Sequence, residues 1–573
     1  HNQWSLRPTG SHTQVGDFPV NIAVQPGGKF AAVLHCGHGT HEVITVNLKD
    51  RTIITRVTMP QAFYGLCFSP DGQRLFASGA EYDVVHAWSV DADGLLAQHK
   101  QIRVVPQKES FVVSGLSTSA DGGQLYVCGA WGERLAIIPT DGAGDVAFVN
   151  FEKDTYPYVA VPTADGARLY VSLWGGSSVA VVNIAERKVE ARWPSPSHPT
   201  EMALSPDGAI LYVACSNSNL VAEIETATGK TLEVLNSALY PTAPTGSTPN
   251  SLALSKDGAI LLVANADNNN VAVINVAERG QAKPLGFIPT GWYPTSVRFD
   301  PNGDILVANG KGLTPRTNRH GPAPGIAARN IREYIGGLHI GAVSWIKMPK
   351  PDELTKLTTE AYACSPLRED AGAVTRRREA GNPIPEKVGD PSPIKHCIYI
   401  IKENRTYDQV FGDMPEGNGD PSICLFPEPV TPNHHALARE FVLLDNFYVE
   451  SEVSADGHEW TMGAYATDFV EKSWPLNYRK QPKEAEINYP SEGNHDIAVP
   501  AGGYMWDRCR EAGVSYRSYG EWVENGPTPD APGKAKAEAL EGHIDPYYRS
   551  YDLNVSDVTR ANRFIEELAR FER

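Results

Sequence analysis

The chain has 573 residues, of which 41% are hydrophobic and 21% charged, and this composition is typical of globular domains. Its formal net charge is −17, and because nonspecific nucleic-acid binding depends on Lys and Arg that neutralise phosphates, a nucleic-acid partner is not expected. No stretch approaches the roughly 20 apolar residues that a transmembrane helix needs.

A strand–turn–strand pattern recurs seven times in the first 350 residues. The turns have sequences such as SPDG, and their glycines are 42 to 50 residues apart: Gly28, Gly72, Gly122, Gly166, Gly208, Gly258 and Gly303. Asp-Gly supplies the positive φ of a tight hairpin turn, and this period is typical of a four-stranded propeller blade. A closed ring of blades buries sheet faces that one blade leaves open. We therefore predict an all-β, seven-bladed propeller over residues 1–350.

Three histidines follow an inner strand of the first repeat, at His35, His38 and His41. Three histidines within seven residues could bind a metal ion. The alternative is a polar loop near the mouth of the propeller.

The pattern changes after a charged, proline-rich linker at residues 351–393, which includes a short helical stretch. Two apolar runs, at 394–404 (IKHCIYIIKEN) and 442–450 (VLLDNFYVE), are typical of buried parallel strands. Residues 434–441 and 454–472 have helical patterns. Alternating strands and helices predict an α/β domain at 394–573, with polar residues at the strand ends where ligands bind such sheets.

Both parts of the chain resemble known families. The repeats LYVACSNSNLVAEIE and LLVANADNNNVAVINVA resemble the Tyr-Val-Thr-Asn family of seven-bladed propellers. The stretch KHCIYIIKENRTYDQVFGD, with DNFYVESEVSADGHEW some forty residues later, resembles the phosphoesterase family of bacterial phospholipases C and acid phosphatases, in the alkaline phosphatase superfamily. The fusion of the two is similar to a bacterial two-domain family.

The resemblance implies a metal-dependent nucleophilic site. Glu403 and Asn404 match the residues of the first motif that bind the catalytic metal, and oxygen ligands suit a hard cation. Ser454 matches the nucleophile, which is also a metal ligand, and Ser451 and Thr461 are the alternatives. Structural roles also fit these residues: a turn for Glu403 and Asn404, and a helix N-cap for Ser454.

Further site residues are expected nearby. His458 could donate a hydrogen bond to phosphate as a second catalytic residue, or pack against Trp460. We expect Arg405, Asn433 and His435 to contact the substrate, although Arg405 could instead form an ion pair within the domain.

The superfamily places more metal ligands later in the domain. His495–Asp496 and His543–Asp545 are the candidates here, but both lie in loop-like sequence. Domains of this type usually need more residues to complete their sheet, so we expect the α/β domain to be incomplete in this chain.

The resemblance thus predicts hydrolysis of a small-molecule or lipid phosphate ester by a periplasmic or secreted protein. The cofactor is a divalent metal ion, with zinc, calcium, manganese and iron all open, and the oligomeric state is open too. Two alternatives remain. One is a non-enzymatic protein whose propeller binds a protein partner beside a degenerate phosphatase-like domain. The other is a lactonase-type hydrolase with its site in the propeller channel.

Overall fold

The first part of the chain is a seven-bladed β-propeller, as predicted. A computed structural model describes residues 4–106, 109–314, 316, 334–367, 381–385, 389–479 and 487–571. It contains seven four-stranded antiparallel sheets in the first 346 residues. The innermost strand of each sheet contacts the innermost strands of both neighbours, so the ring of blades is closed.

Each of the first six blades consists of four consecutive strands, numbered here along the chain. They are β2 (Pro19–Val24), β3 (Phe30–His35), β4 (His41–Asn47) and β5 (Ile53–Met59); β6 (Leu66–Phe68), β7 (Arg74–Ser78), β8 (Val84–Val90) and β9 (Leu96–Arg103); β10 (Val113–Thr118), β11 (Gln124–Gly129), β12 (Arg134–Pro139) and β13 (Ala147–Asn150); β14 (Pro157–Pro162), β15 (Arg168–Leu173), β16 (Ser178–Asn183) and β17 (Lys188–Pro194); β18 (Pro199–Leu204), β19 (Ile210–Cys215), β20 (Leu220–Glu225) and β21 (Thr231–Asn236); and β22 (Pro249–Leu254), β23 (Ile260–Asn265), β24 (Asn270–Asn275) and β25 (Lys283–Pro289).

The seventh blade joins the two ends of the propeller sequence. It contains β26 (Trp292–Phe299), β27 (Ile305–Gly312) and β28 (Ile340–Ile346), and its outer strand is β1 (Ser11–Asp17). Strand β1 pairs antiparallel with β28, with Ser11 opposite Trp345. This pairing ties the start of the chain to the last blade and covers the edge of β28.

The turn glycines have the backbone conformation that the sequence predicts. All seven have φ between 69° and 85°, for example 71° at Gly208. Residues with a Cβ adopt this region only at a cost, which explains why the repeat places glycine at this turn position.

The three-histidine cluster is built into the first blade. His35 and His41 are fully buried, and Nδ1 of His41 accepts the Ala62 N–H at 2.7 Å while its Nε2 lies 2.7 Å from the Gly37 carbonyl oxygen. Nε2 of His35 accepts the Gly16 N–H at 3.1 Å. Burial lowers the pKa of His35 to about 3. These two rings therefore serve the blade structure, which favours the polar-loop interpretation over a metal site.

In the described part of residues 351–571 the regular secondary structure is mostly helix, separated by long irregular segments. Its helices are α1 (Pro351–Cys364), α2 (Tyr407–Phe411), α3 (Pro432–Glu440), α4 (Ser454–Gly463), α5 (Asp468–Tyr478), α6 (Met505–Glu511) and α7 (Asp557–Phe571), and its only described strands are the short pair β29 (Val523–Glu524) and β30 (Lys534–Ala535). None of the helices in the described ranges is long and apolar enough to cross a membrane.

The prediction of two buried parallel strands was wrong. Residues 394–404 and 442–450 form no ladder, and most of their apolar side chains are exposed, with Ile400 at 75% and Val449 at 74%. A strand needs a neighbour that accepts and donates its backbone hydrogen bonds, and no described strand lies beside either segment. An α/β sheet is therefore not confirmed here, and an alkaline-phosphatase-like fold remains a prediction.

The predicted helix at 454–472 is two helices. α4 ends where Ala464 adopts φ 65°, and α5 begins at Asp468. The change of direction lets α5 bury Asp468 through Leu476. Its Phe469 shares a core with Tyr158 and Trp174 of the propeller. The two parts of the chain are thus packed together through α5.

Helix α5 lies over the centre of the propeller ring. Oδ1 of Asp468 accepts hydrogen bonds from Asn250 (3.2 Å) and from the Tyr293 hydroxyl (3.0 Å). Nζ of Lys472 lies 2.6 Å from Asp468 Oδ2 and 3.0 Å from the Tyr158 hydroxyl. Because these partners belong to three different blades, α5 occupies this end of the channel. This occupancy disfavours a lactonase-type site that opens at this end.

The predicted linker begins with a helix, as the sequence indicated. α1 packs along β25, where Thr358 Oγ1 accepts the Phe287 N–H at 2.9 Å, and the Tyr362 hydroxyl donates to the Leu239 carbonyl at 2.8 Å. The start of the linker is therefore attached to the outside of the propeller. Residues 368–380 and 386–388 lie outside the described residues.

Candidate functional site

The structure brings together two of the residues that the sequence predicts for the metal site. The Ser454 hydroxyl lies 3.2 Å from Oε2 and 3.4 Å from Oε1 of Glu403. Glu403 belongs to an exposed irregular segment before α2, and Ser454 is the first residue of α4. Asn404 follows in the same exposed segment, and its carbonyl oxygen accepts Nη1 of Arg405 at 2.6 Å.

The N-terminus of α4 is held by its own first-turn acid. The carboxylate of Asp456 accepts the N–H of Glu452 at 2.8 Å and that of Val453 at 2.9 Å. Asp456 is fully buried and satisfies backbone N–H groups at the start of the helix. Ser454 is thus the first residue of α4 and not its N-cap, which is Val453. Its hydroxyl is directed to Glu403 and makes no described capping hydrogen bond to the helix backbone.

His458 lies one turn along α4 between two carboxylates. Its Nδ1 is 3.1 Å from Glu521 Oε2, and its Nε2 is 3.9 Å from Glu492 Oε1. Burial alone would lower the pKa of His458, but the hydrogen bond and charge of Glu521, with the charges of Glu492 and Glu403, raise it to about 9. The ring is therefore an imidazolium at neutral pH. It meets the Trp522 ring edge to face at 6.3 Å.

Tyr478 interacts with Ser454, and Tyr489 interacts with Tyr478. Burial raises the pKa of Tyr478, whose hydroxyl interacts with Tyr489, the Ala455 backbone and the Ser454 side chain. Burial, with the charges of Tyr478, Glu492 and Glu403, raises the pKa of Tyr489. Both phenols therefore stay protonated at neutral pH, and that of Tyr478 lies beside the serine.

The cluster carries a net negative charge. One ligand atom from each of His458, Glu492 and Glu521 lies within 4.8 Å of the other two, and Glu403 adds a third carboxylate nearby. Three carboxylates against one imidazolium repel an anionic substrate unless a cation is bound. Oxygen atoms from Glu403 and Ser454, with further carboxylates close by, form the donor set that a hard divalent cation prefers.

Sequence reasoning missed Glu492, Glu521, Tyr478 and Tyr489. The two glutamates lie in loops, where a lone acidic residue has no recognisable spacing. Tyr478 ends α5, a helix whose burial depends on the propeller. The one signal in the sequence was that Glu492 lies three residues before His495–Asp496, a candidate ligand pair.

The three residues expected to contact the substrate do not gather around Ser454. His435 is buried, with Nε2 3.0 Å from Asp413 Oδ1 and Nδ1 2.9 Å from the Thr431 carbonyl. The Arg405 guanidinium lies over the Phe426 ring at 5.4 Å. Asn433 is exposed on α3. None of these three has a described contact with Ser454, so their substrate roles rest on the resemblance alone.

The alternative nucleophile and later ligands have other partners. The Thr461 hydroxyl donates to the Gly457 carbonyl at 2.9 Å, within its own helix. His495 Nδ1 lies 3.1 Å from the Tyr156 hydroxyl of the propeller. His543 stacks on Tyr516, and Asp545 pairs with Arg563 at 2.7 Å. Among the three candidate nucleophiles, Ser454 is the one with a described hydrogen bond to a carboxylate.

Comparisons with known proteins agree with the propeller. No protein-family model matches the chain. A seven-bladed β-propeller protein of Mycobacterium tuberculosis, Rv1057, is 26% identical over 137 residues, which are 23% of this chain and 35% of that protein. Antigen Lp49 of Leptospira interrogans is 29% identical over 114 residues, 18% of this chain and 24% of that protein. The matches thus span about a third and a quarter of these relatives.

Solved structures with similar folds have low identity. Hydrazine synthase of Kuenenia stuttgartiensis is 21% identical with a TM-score of 0.44, covering 53% of this chain and 96% of that one. A streptogramin B lyase is 14% identical with a TM-score of 0.44, covering 59% of this chain and 97% of that one.

Proposed function

We propose that the protein is a metal-dependent phosphoesterase with Ser454 as its nucleophile. The observation that carries the proposal is the contact between the Ser454 hydroxyl and the Glu403 carboxylate, at 3.2 Å and 3.4 Å. These residues are 51 positions apart in sequence, and the resemblance to phosphoesterases assigns both to one site.

The local geometry suits attack on phosphorus. Ser454 donates its hydroxyl proton toward Glu403, which prepares the oxygen for nucleophilic attack. The N-terminus of α4 presents backbone N–H groups and the positive end of the helix dipole, which favour a phosphate oxygen at this position. His458, protonated at neutral pH, is one helical turn away and can donate a proton or hydrogen bond.

A divalent cation fits the donor set of Glu403, Ser454 and the neighbouring carboxylates. When bound, such an ion lowers the pKa of a coordinated hydroxyl and neutralises charge on the phosphoryl oxygens. Asn404 follows Glu403 in the sequence, and the resemblance assigns its amide oxygen to the same metal ion. We include zinc, calcium, manganese and iron as candidates.

The substrate class is a phosphate ester, either a small molecule or a phospholipid, and we place the protein in the periplasm or outside the cell on the same resemblance. Turnover of p-nitrophenyl phosphate tests a monoester, bis-p-nitrophenyl phosphate a diester, and phosphatidylcholine vesicles a phospholipid. Each is measured with metal-replete protein and after removal of metal by a chelator.

A matched pair of serine variants tests the nucleophile. Ser454→Ala removes the hydroxyl beside Glu403, and Ser451→Ala removes another hydroxyl three residues earlier. We expect chelator-sensitive turnover that falls at least about 1,000-fold in Ser454→Ala and is retained in Ser451→Ala. Absence of turnover in metal-replete protein on all three substrates contradicts the proposal and favours the propeller as a binding module.

A further inference from the structure

A buried lysine of the propeller contacts the segment that precedes Ser454. Lys311 lies on β27 of the seventh blade, and its side chain is 5% exposed. Its Nζ is 2.9 Å from both carboxylate oxygens of Glu452 and 2.8 Å from Glu471 Oε2. Lys311 thus joins the propeller to two carboxylates of the C-terminal part.

The surroundings of Lys311 fix its ammonium group in one place. The Nζ atom lies 5.6 Å from the centre of the Trp292 ring and 5.1 Å from that of Tyr293. Nε2 of His339 lies 3.8 Å from Glu452 Oε1. Because the Glu452 side chain is only 3% exposed, water cannot readily replace the lysine, and losing one partner leaves a buried charge.

Glu452 is connected to Ser454 through a short, well-held stretch of backbone. Its N–H donates to Asp456, as does the N–H of Val453. Residues 452–456 are therefore anchored to the propeller at Glu452 and to the first turn of α4 at Asp456. Ser454 lies between these two anchors.

We propose that Lys311 is a positioning residue, which sets the location of the Ser454 hydroxyl by holding Glu452 against the propeller. This inference rests on the proposed function of Ser454. It gives the fused propeller a defined part in the reaction, because the nucleophile-bearing segment is held from a blade and not only from its own helix. Misplacement of a reacting group by about 1 Å can cost 100-fold in rate.

A second buried lysine at the same interface provides a matched control. Lys472 is 1% exposed and contacts the propeller through Tyr158, but its carboxylate partner is Asp468 on its own helix. Neither partner belongs to residues 452–458. Lys472→Met therefore perturbs the interface without removing the anchor of Ser454.

The test combines steady-state kinetics with hydrogen exchange of full-length protein. The substrate is whichever ester the wild-type protein turns over, and the variants are Lys311→Met, Lys311→Arg, Glu452→Gln and Lys472→Met. We expect Lys311→Met to lower kcat about 10- to 100-fold with KM changed less than about threefold, because positioning acts on the transition state. Lys311→Arg should recover part of kcat, and Lys472→Met should keep kcat within about threefold.

Exchange of the backbone amides at 452–458 gives a readout independent of turnover. We expect faster exchange there in Lys311→Met and Glu452→Gln than in Lys472→Met. Glu452→Gln breaks the same ion pair from the other side and serves if Lys311→Met does not fold. Wild-type kcat and unchanged exchange in the folded variants overturn the inference. A wild-type protein with no turnover, but with faster exchange at 452–458 in Lys311→Met, refutes the proposed function and supports the anchoring contact.

Discussion

Lys472 of helix α5 reaches the Tyr158 hydroxyl at 3.0 Å, and this contact joins positions that are 314 residues apart. The ammonium group also lies 5.2 Å from the centre of the Tyr64 ring and 5.3 Å from that of Tyr158. A charged helix residue is therefore enclosed by aromatic side chains of the propeller. Helix α5 is therefore packed firmly against the propeller, and its stability depends on the propeller.

Removing the Phe469 side chain should weaken both parts together. Its ring is fully buried, 5.4 Å from that of Trp174 and 5.7 Å from that of Trp131. We expect Phe469→Ala to lower the free energy of unfolding by about 3–5 kcal/mol, measured by urea denaturation. Phe571→Ala removes a phenylalanine that is 67% exposed and should change it by less than about 0.5 kcal/mol. Equal effects of the two variants contradict the shared core.

The charge on His458 should make stability fall between neutral and alkaline pH. Its pKa is raised from 6.5 to about 9 in the folded protein, so the folded state holds this proton more tightly than the unfolded chain. The stabilisation is complete below pH 6.5 and is lost as pH rises through about 9. It amounts to no more than about 3 kcal/mol.

Chelator-treated His458→Asn should therefore lose less stability than wild type across this range, measured by urea unfolding from about pH 6 to pH 10. His396→Asn, at an exposed position, is the control and should keep the wild-type slope. A wild-type slope in His458→Asn would show that Glu521 and Glu492 do not hold the imidazolium.

Glu403→Gln should weaken metal binding. The substitution keeps the shape of the side chain but removes the charge beside Ser454, and we expect Mn²⁺ affinity to fall at least about tenfold by isothermal titration calorimetry. Glu440→Gln makes the same charge change at an exposed position on α3 and should leave the affinity unaltered. Equal affinities for wild type and Glu403→Gln place the cation elsewhere.

Replacing a propeller turn glycine by alanine should lower the free energy of unfolding, because the turn requires a positive φ. At Gly208, φ is 71° and an added Cβ would meet nothing within 4 Å, so Gly208→Ala tests backbone strain alone. We expect a loss of about 1–2 kcal/mol in unfolding free energy. Gly502 is equally open but lies outside the positive-φ region, and Gly502→Ala should be neutral or slightly stabilising.

Local repetition explains why the propeller could be predicted. Each blade carries its own turn glycine and alternating strands, and the closed ring follows from seven such units. Residues 394–404 show the opposite case, because an apolar run indicates burial but does not name the strand that pairs with it. Ile398 and Ile400 are exposed, and no strand among the described residues pairs with this segment.

The candidate site was predictable only where a motif marked it. Glu403 and Ser454 come from two recognisable motifs, and the structure places them in contact. The burial of α5 was not predictable, because Asp468, Glu471 and Lys472 have the composition of a solvent-facing helix. Their partners lie on distant blades, and such pairing is a tertiary property that sequence periodicity does not record.

Trapping the reaction on Ser454 tests the central claim most directly. Metal-replete protein is mixed with p-nitrophenyl phosphate, quenched in acid, digested and analysed by mass spectrometry. A phosphoryl group on Ser454 of the wild-type protein, absent without metal and absent from Ser454→Ala, is the predicted result. The claim would be contradicted if the wild-type protein turned over the ester without a phosphoryl group on Ser454. It would also be contradicted if Ser454→Ala turned over the ester as fast as the wild type.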